Sequence, residues 1–121
     1  MKIQTSDLID SALDWAVAKC AGYESRCPWM LEKHGYVSWQ SYERAWGNPL
    51  PSYSTDWSQG GQIIGREKIA TQFWISESSW EGSINGGFFA SPGPTPLVAA
   101  MRCYVASKLG NEVDVPNELV A

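Results

Sequence analysis

Apolar residues recur at helical spacing near the start of the chain. Five of them fall on one face when the segment is wound as an α-helix, namely Ile9, Leu13, Ala16, Val17 and Cys20. The segment follows the capping candidates Thr5 and Ser6 and stops before Gly22. The pattern predicts a core-facing helix over residues 7–21, with Asp10 and Asp14 on its exposed side.

A second helix is predicted near the end of the chain. Thr95 has an N-cap side chain, Pro96 fits the first helical position because its missing N–H costs nothing there, and Gly110 fits the position after the last turn. These signals predict a helix over residues 96–109, with Lys108 exposed. Its apolar face comprises Leu97, Ala100, Met101 and Tyr104.

The middle of the chain has the composition of β-strands. Short runs of β-branched and aromatic residues occupy Gln62–Gly65, Ile69–Ile75 and Ser79–Ile84. Residues 76–78 have the character of a turn between antiparallel strands. Asn85-Gly86 is a hairpin signal with a short return strand at Phe88 and Phe89, although the Gly, Ser and Pro residues from 86 to 96 fit a loop equally well. We predict an α+β fold in which a small antiparallel β-sheet packs against the two main helices.

The other segments give weaker signals. Glycines and prolines interrupt residues 22–52, where we predict a short strand at Gly35–Ser41 and a helical turn at Ser41–Trp46. Residues 111–121 mix valines with acidic residues and are interpreted as an extended arm on the surface. At 121 residues the chain has the length of a single domain, so we assign residues 1–121 to one unit.

Charge and hydropathy exclude two classes of partner. The net charge of −4 argues against binding to polymeric nucleic acid, because that affinity comes mainly from lysine and arginine displacing counterions. No apolar stretch approaches the roughly 18 residues that a membrane span requires. A small anionic ligand remains compatible, since backbone amides and one or two cations suffice to bind it.

Cysteine and tryptophan usage bears on cofactors and assembly. Cys20, Cys27 and Cys103 form no CxxC pair, and their spacing with His34 fits no familiar zinc site, so we expect reduced thiols and no metal or cofactor. Seven tryptophans exceed what a core of this size usually needs. The surplus indicates exposed stacking surfaces or subunit contacts, and we expect a homo-oligomer, most simply a two-fold dimer.

The segment from Tyr53 to Gly61 has the composition of a binding loop. A tryptophan offers a stacking face, acidic and amide side chains fix hydrogen-bonding edges, and glycines let backbone amides approach a ligand. The start of the last helix is a second candidate anion site. The candidate ligand-binding residues are Tyr53, Ser54, Thr55, Asp56, Trp57, Gln59, Gly60, Gly61, Arg66, Thr95 and Arg102. The alternative is structural, with Asp56 capping a turn, Trp57 in the core and Thr95 only capping its helix.

Three blocks of the chain resemble the NinX family of small lambdoid-phage proteins. They are Leu13-Asp14-Trp15-Ala16-Val17-Ala18, Ser54-Thr55-Asp56-Trp57-Ser58-Gln59-Gly60-Gly61 with Ile63-Ile64, and the run from Gly93 to Gly110 with Glu112-Val113-Asp114-Val115-Pro116 after it. Gly65 departs from the family pattern, in which an acidic residue stands before Arg66 and Glu67. The resemblance implies a phage origin and an accessory function in the host cytoplasm, and it supplies no catalytic residues.

Three functions fit these observations. The first is a protein that binds and sequesters a small nucleotide-derived ligand, such as a cyclic dinucleotide or a cyclic ADP-ribose isomer used as a host immune signal. The second is a protein-interaction module that inhibits or adapts a host or phage enzyme through an aromatic surface. The third is a phosphodiesterase-like enzyme, for which Asp56 and Glu67 are the nearest carboxylates. We expect ligand binding without catalysis.

Overall fold

A computed structural model describes residues 1–20, 52–87 and 89–115. Within these ranges the chain forms three helices and two small antiparallel sheets, which confirms the predicted α+β class. The elements are β1 (Lys2–Gln4), α1 (Asp10–Cys20), α2 (Trp57–Glu67), β2 (Ala70–Trp74), β3 (Ser79–Ile84), β4 (Phe89–Gly93), α3 (Pro96–Leu109) and β5 (Glu112–Asp114), with 3-10 turns at Thr5–Asp7 and Ile75–Glu77. The predictions at residues 35–41 and 41–46 lie outside the described residues.

The larger sheet has the strand order β2-β3-β4, with both pairs antiparallel. The turn predicted at residues 76–78 joins β2 to β3, and Ser78 closes it with a φ of 49°. The predicted hairpin is also present, because Asn85 and Gly86 both have positive φ (58° and 67°) before the return strand β4. The register pairs Ile84 with Phe89, so the connection is longer than a two-residue Asn-Gly turn, and the return strand runs on to Gly93.

Helix α3 lies directly on β3 and β4. A Cβ on Gly82 would be 2.6 Å from the carbonyl oxygen of Ala99, and a Cβ on Gly93 would be 2.6 Å from the Ala99 amide nitrogen. Neither distance leaves room for a side chain, so the two glycines set the separation between helix and sheet. The predicted bounds of this helix are confirmed, with Thr95 and Gly110 as its caps.

Helix α1 packs against α3, and the core lies between them. Four details of the prediction for α1 are wrong. The helix begins at Asp10 after a 3-10 turn, and the Thr5 hydroxyl donates to the Gly110 carbonyl (2.6 Å) instead of capping α1. Asp14 is buried, not exposed, because its Oδ1 accepts a hydrogen bond from the Ser54 amide (2.8 Å), while Ile9 is left 45% exposed.

The run Gln62–Gly65 belongs to α2 and is not a strand, which corrects the prediction. Asp56 caps the helix, and Lys68 ends it in the left-handed conformation with a φ of 56°. Only Gly60 and Ile63 of this helix are buried, three residues apart on one face. Two adjacent isoleucines between Gln62 and Gly65 did not distinguish that spacing from a strand.

The two chain ends meet in the second sheet. Strands β1 and β5 pair antiparallel, and the amino-terminal nitrogen donates to Asp114 Oδ1 (3.0 Å) and to the Val115 carbonyl (2.9 Å). Val113 and Val115 are buried. The segment predicted as a surface arm is therefore, as far as residue 115, part of the packed structure. Among the described residues, none of the helices has the length and hydropathy to cross a membrane.

Candidate functional site

The segment from Tyr53 to Gly61 is divided between a turn and the first residues of α2. Asp56 is the N-cap, and its Oδ1 accepts hydrogen bonds from the amide (2.9 Å) and the hydroxyl (2.7 Å) of Ser58. Its Oδ2 accepts a bond from Gln59 Nε2 (2.9 Å). These bonds hold the pKa of Asp56 below its usual value, because they stabilise the charged carboxylate.

Gln59 completes this network by accepting a hydrogen bond from the Ser52 amide at its side-chain oxygen (2.9 Å). The side chains of Asp56 and Gln59 are therefore bonded to each other and to the main chain. They make a rigid support for the start of α2 instead of presenting free edges to a ligand. Asp56 is therefore a capping residue, as the structural alternative predicted, except that it caps a helix and not a turn.

Trp57 stands at the first position of α2 and is 55% exposed. It is therefore not a core residue. A Cβ built on Gly61 would lie 3.6 Å from Trp57 Cε3, which is ordinary contact, so Gly61 lies beside the indole ring. A half-exposed indole on a hydrogen-bonded frame has the exposed flat face that stacking on another ring requires.

Gly60 fixes the position of α2 on the rest of the protein. A Cβ there would collide with the carbonyl oxygen of Tyr53 and would lie 2.7 Å from Leu97 Cδ1. The start of α2 is thus pressed against the preceding turn and against the first turn of α3. Gly60, three residues after Trp57, therefore meets Leu97, two residues after Thr95.

Behind the turn lies a buried polar pair, Asp14 and Ser54. Burial raises the pKa of the Asp14 carboxyl, and the neighbouring Ser54 amide and hydroxyl offset part of that effect. The hydroxyl oxygen of Ser54 is itself buried and makes no hydrogen bond of good geometry with any residue in the described part of the chain. The Ser54 hydroxyl therefore acts as a buried dipole beside the Asp14 carboxylate.

The two candidate cations are held by other parts of the fold. Arg66 bonds Glu67 Oε2 through Nε (2.9 Å) and donates to the Tyr104 hydroxyl through Nη2 (3.3 Å). Arg102 is buried and donates to the carbonyls of Leu8 (2.7 Å) and Pro92 (3.0 Å), which ties α3 to the segment before α1 and to β4. Burial also lowers the pKa of Arg102. Arg66, which is about half exposed, is the more accessible of the two.

Thr95 caps α3 through its Oγ1, which accepts a hydrogen bond from the Val98 amide (3.1 Å). Its side chain is exposed, as is that of Thr55. The hydroxyl of Thr95 retains a proton to donate, and the start of the helix carries partial positive charge. The cap and the predicted anion site are therefore compatible at this residue.

The acidic and thiol side chains considered for catalysis or metal binding are well separated among the described residues. No group of three His, Cys, Asp or Glu side chains among residues 1–20, 52–87 and 89–115 could hold a metal ion, and His34 lies outside those ranges. Asp56 and Glu67 lie at opposite ends of α2, roughly 16 Å apart at 1.5 Å per residue, too far to act together. Burial raises the pKa of the Cys103 thiol to about 11, so little thiolate is present at neutral pH.

Asp14 is the residue that sequence reasoning missed. It falls off the apolar stripe of α1, so the helical pattern placed it in solvent. An acidic residue inside the strongly apolar run from Leu13 to Ala18 was the available signal. Its partner, Ser54, comes from a segment 40 residues away.

A family model described as "Bacteriophage P22, NinX" matches residues 4–108. No curated protein matches the chain. The matched region includes all of α1, α2 and the larger sheet, and all of α3 except its last residue, Leu109. Within it, the Asp14–Ser54 hydrogen bond joins the first block of resemblance to the second, and the Arg66–Tyr104 bond joins α2 to the third.

Proposed function

Because the chain belongs to the NinX family of bacteriophage proteins, we propose that it is a phage accessory protein that binds and sequesters a small nucleotide-derived ligand. The ligand class is that of host immune signals, a cyclic dinucleotide or a cyclic ADP-ribose isomer, captured in the host cytoplasm. Sequestration denies the signal to the host effector that would respond to it. The proposal is for binding without turnover of the ligand.

The observation that carries the proposal is Trp57, a half-exposed indole on a rigid support. Stacking of a base on an aromatic side chain contributes about 1–3 kcal/mol. The Asp56–Gln59 network holds the start of α2 before any ligand arrives, so little conformational entropy is lost on binding. Behind the indole, the hydrogen bond from the Ser54 amide to the Asp14 carboxyl anchors the turn that precedes α2.

The charges at the starts of α2 and α3 indicate which part of the ligand we assign to each. The ionised Asp56 carboxylate occupies the start of α2 and disfavours a phosphate there, so the base is the part we assign to Trp57. The start of α3, with the Thr95 hydroxyl and the positive end of the helix dipole, is the better place for a phosphate. The start of α2 lies against the first turn of α3 because Gly60 leaves room for the Tyr53 carbonyl and the Leu97 side chain.

The proposal is tested by incubating the purified protein with a panel of cyclic dinucleotides and cyclic ADP-ribose isomers, removing unbound ligand and releasing the remainder by heat. Chromatography of the supernatant then identifies what was bound. Recovery of one compound intact, in stoichiometric amount, supports sequestration. An altered product would instead make the protein an enzyme, and no uptake of any compound would refute the proposal.

A second candidate is a protein-interaction module. It is favoured by a run of large apolar residues at the end of β2, where Phe73, Trp74 and Ile75 are 45%, 40% and 84% exposed. Exposed aromatic side chains of this kind anchor protein interfaces. Failure of nucleotide uptake, together with inhibition of a host or phage enzyme by the purified protein, would favour this reading.

A further inference from the structure

Strand β2 forms an edge of the larger sheet and is exposed along its whole length. It pairs with β3 on one side, and on its other side it pairs with no strand in the portion of the chain that the structure describes. Every residue from Ala70 to Trp74 is exposed, and the stretch contains neither proline nor a charged residue. Edge strands of native proteins usually contain a proline or a charged residue, because unpaired backbone groups otherwise pair with strands of other molecules.

The opposite edge of the same sheet, β4, is protected. Pro92 has no N–H to offer, and its carbonyl accepts a hydrogen bond from the buried Arg102 (3.0 Å). Since Pro92 cannot donate to its partner Glu81, that pair is one of the non-hydrogen-bonded pairs of the β3–β4 ladder. The backbone groups of Glu81 therefore point toward β2, where Gln72 is its partner.

This alternation identifies which groups of β2 face outward. Because Gln72 bonds to β3, so do Ala70 and Trp74, while the N–H and C=O groups of Thr71 and Phe73 point to the free edge. The edge thus presents two residues ready for main-chain hydrogen bonding, two positions apart. A β-strand is the partner that matches this spacing.

We propose that β2 pairs antiparallel with β2 of a second copy of this chain across a two-fold axis. The charges that flank the strand support this partner and this direction. Lys68 precedes the strand and Glu77 follows it, both exposed, with no charge on residues 69–76. Antiparallel pairing brings the positive end of each copy near the negative end of the other, whereas parallel pairing would bring like charges together.

The register centred on Gln72 uses the full strand. Thr71 of each copy then lies opposite Phe73 of the other, and the two pairs exchange about four main-chain hydrogen bonds. Trp74 of each copy lies opposite Ala70, so a large side chain meets a small one on the same face. The three-stranded sheets of the two copies join into one continuous sheet.

The test is sedimentation velocity across roughly 1–100 µM for the parent and two charge variants. Gln72→Lys places two lysines opposite each other at the two-fold axis, and because each also lies beside Glu81 of its own chain, the dimer dissociation constant is expected to rise severalfold. Ala90→Lys is the matched control, since Ala90 is exposed on the same face of the sheet but on β4. The expected result is a dimer for the parent and for Ala90→Lys, with Gln72→Lys shifted to monomer.

A second pair of variants removes any ambiguity from the added charge. Thr71→Pro deletes an N–H that points away from β3, so it leaves the β2–β3 ladder bonds in place, and it is expected to weaken dimerisation. Thr71→Val keeps the N–H and is expected to dimerise as the parent does. The proposal is overturned if the parent is a monomer throughout the range, or if Gln72→Lys and Thr71→Pro both stay as dimeric as their controls. If a different kind of partner binds this edge, the purified parent would be a monomer throughout the concentration range.

Discussion

Helix α2 contains three glycines whose surroundings differ enough to predict opposite effects of the same substitution. A Cβ on Gly65 would meet nothing within 4 Å, and one on Gly61 would make ordinary contact with Trp57 Cε3 at 3.6 Å. A Cβ on Gly60 would collide with the carbonyl oxygen of Tyr53 and would lie 2.7 Å from Leu97 Cδ1. Glycine-to-alanine changes along one helix therefore measure how tightly α2 is pressed against its neighbours.

The magnitudes follow from two opposing terms. Alanine is more favourable than glycine in a helix by about 1 kcal/mol at most, so Gly65→Ala and Gly61→Ala are expected to stabilise the protein by roughly 0.5–1 kcal/mol each. Overpacking costs about 1–3 kcal/mol, and at Gly60 the obstacle is a backbone carbonyl that cannot rotate away. Gly60→Ala is therefore expected to destabilise the fold by about 2 kcal/mol net.

Urea unfolding of the three variants, followed by circular dichroism, checks these values. The expected spread of about 3 kcal/mol between Gly60→Ala and Gly65→Ala corresponds to roughly 12 °C in melting temperature for a domain of this size. Gly65→Ala serves as the control for helix propensity alone. If Gly60→Ala were as stable as Gly65→Ala, the start of α2 would not be seated on Tyr53 and Leu97, and the description of the candidate site would be wrong.

Three further substitutions test other parts of the account. Thr95→Ala is expected to lower the free energy of unfolding by about 1 kcal/mol through loss of its cap, measured by urea denaturation. The raised pKa of Asp14 means that the folded state takes up a proton more readily than the unfolded state, so its contribution favours the fold at low pH and declines as pH rises above about 4. Asp14→Asn should flatten that part of the stability–pH profile from thermal melts. Asp56 has a lowered pKa, so its contribution is present above pH 4 and is lost on acidification, and Asp56→Ala should remove that acid-side loss in the same melts.

The parts of the fold that local chemistry determines could be predicted from the sequence. Helix α3 has a threonine cap, a proline at its first position and a glycine after its last, and all three signals act within a few residues of the helix ends. The turn before β3 and the Asn85-Gly86 hairpin are local in the same sense. Their positions follow from backbone preferences that the rest of the protein did not override.

The parts that depend on distant contacts could not be predicted in this way. Asp14 is buried because Ser54 packs over it, and no periodicity in α1 carries information about a segment 40 residues away. Gln62–Gly65 is helical because Asp56 starts the helix and one face packs on α3, while the run alone suits a strand. At the candidate site, residue type indicated that Asp56 and Gln59 form hydrogen bonds, and only the geometry shows that they bond to each other.

The claim that Trp57 is the stacking surface for a nucleotide-derived ligand is tested most directly by calorimetric titration of the ligand recovered by heat release, comparing Trp57→Ala with Trp74→Ala. Both residues are exposed tryptophans, at 55% and 40%, but only Trp57 lies at the candidate site. The account predicts that Trp57→Ala weakens binding by about 1–3 kcal/mol at unchanged melting temperature, while Trp74→Ala binds as the parent does. Equal affinity for the parent and Trp57→Ala, or failure of the parent to retain any compound of the panel, would contradict it.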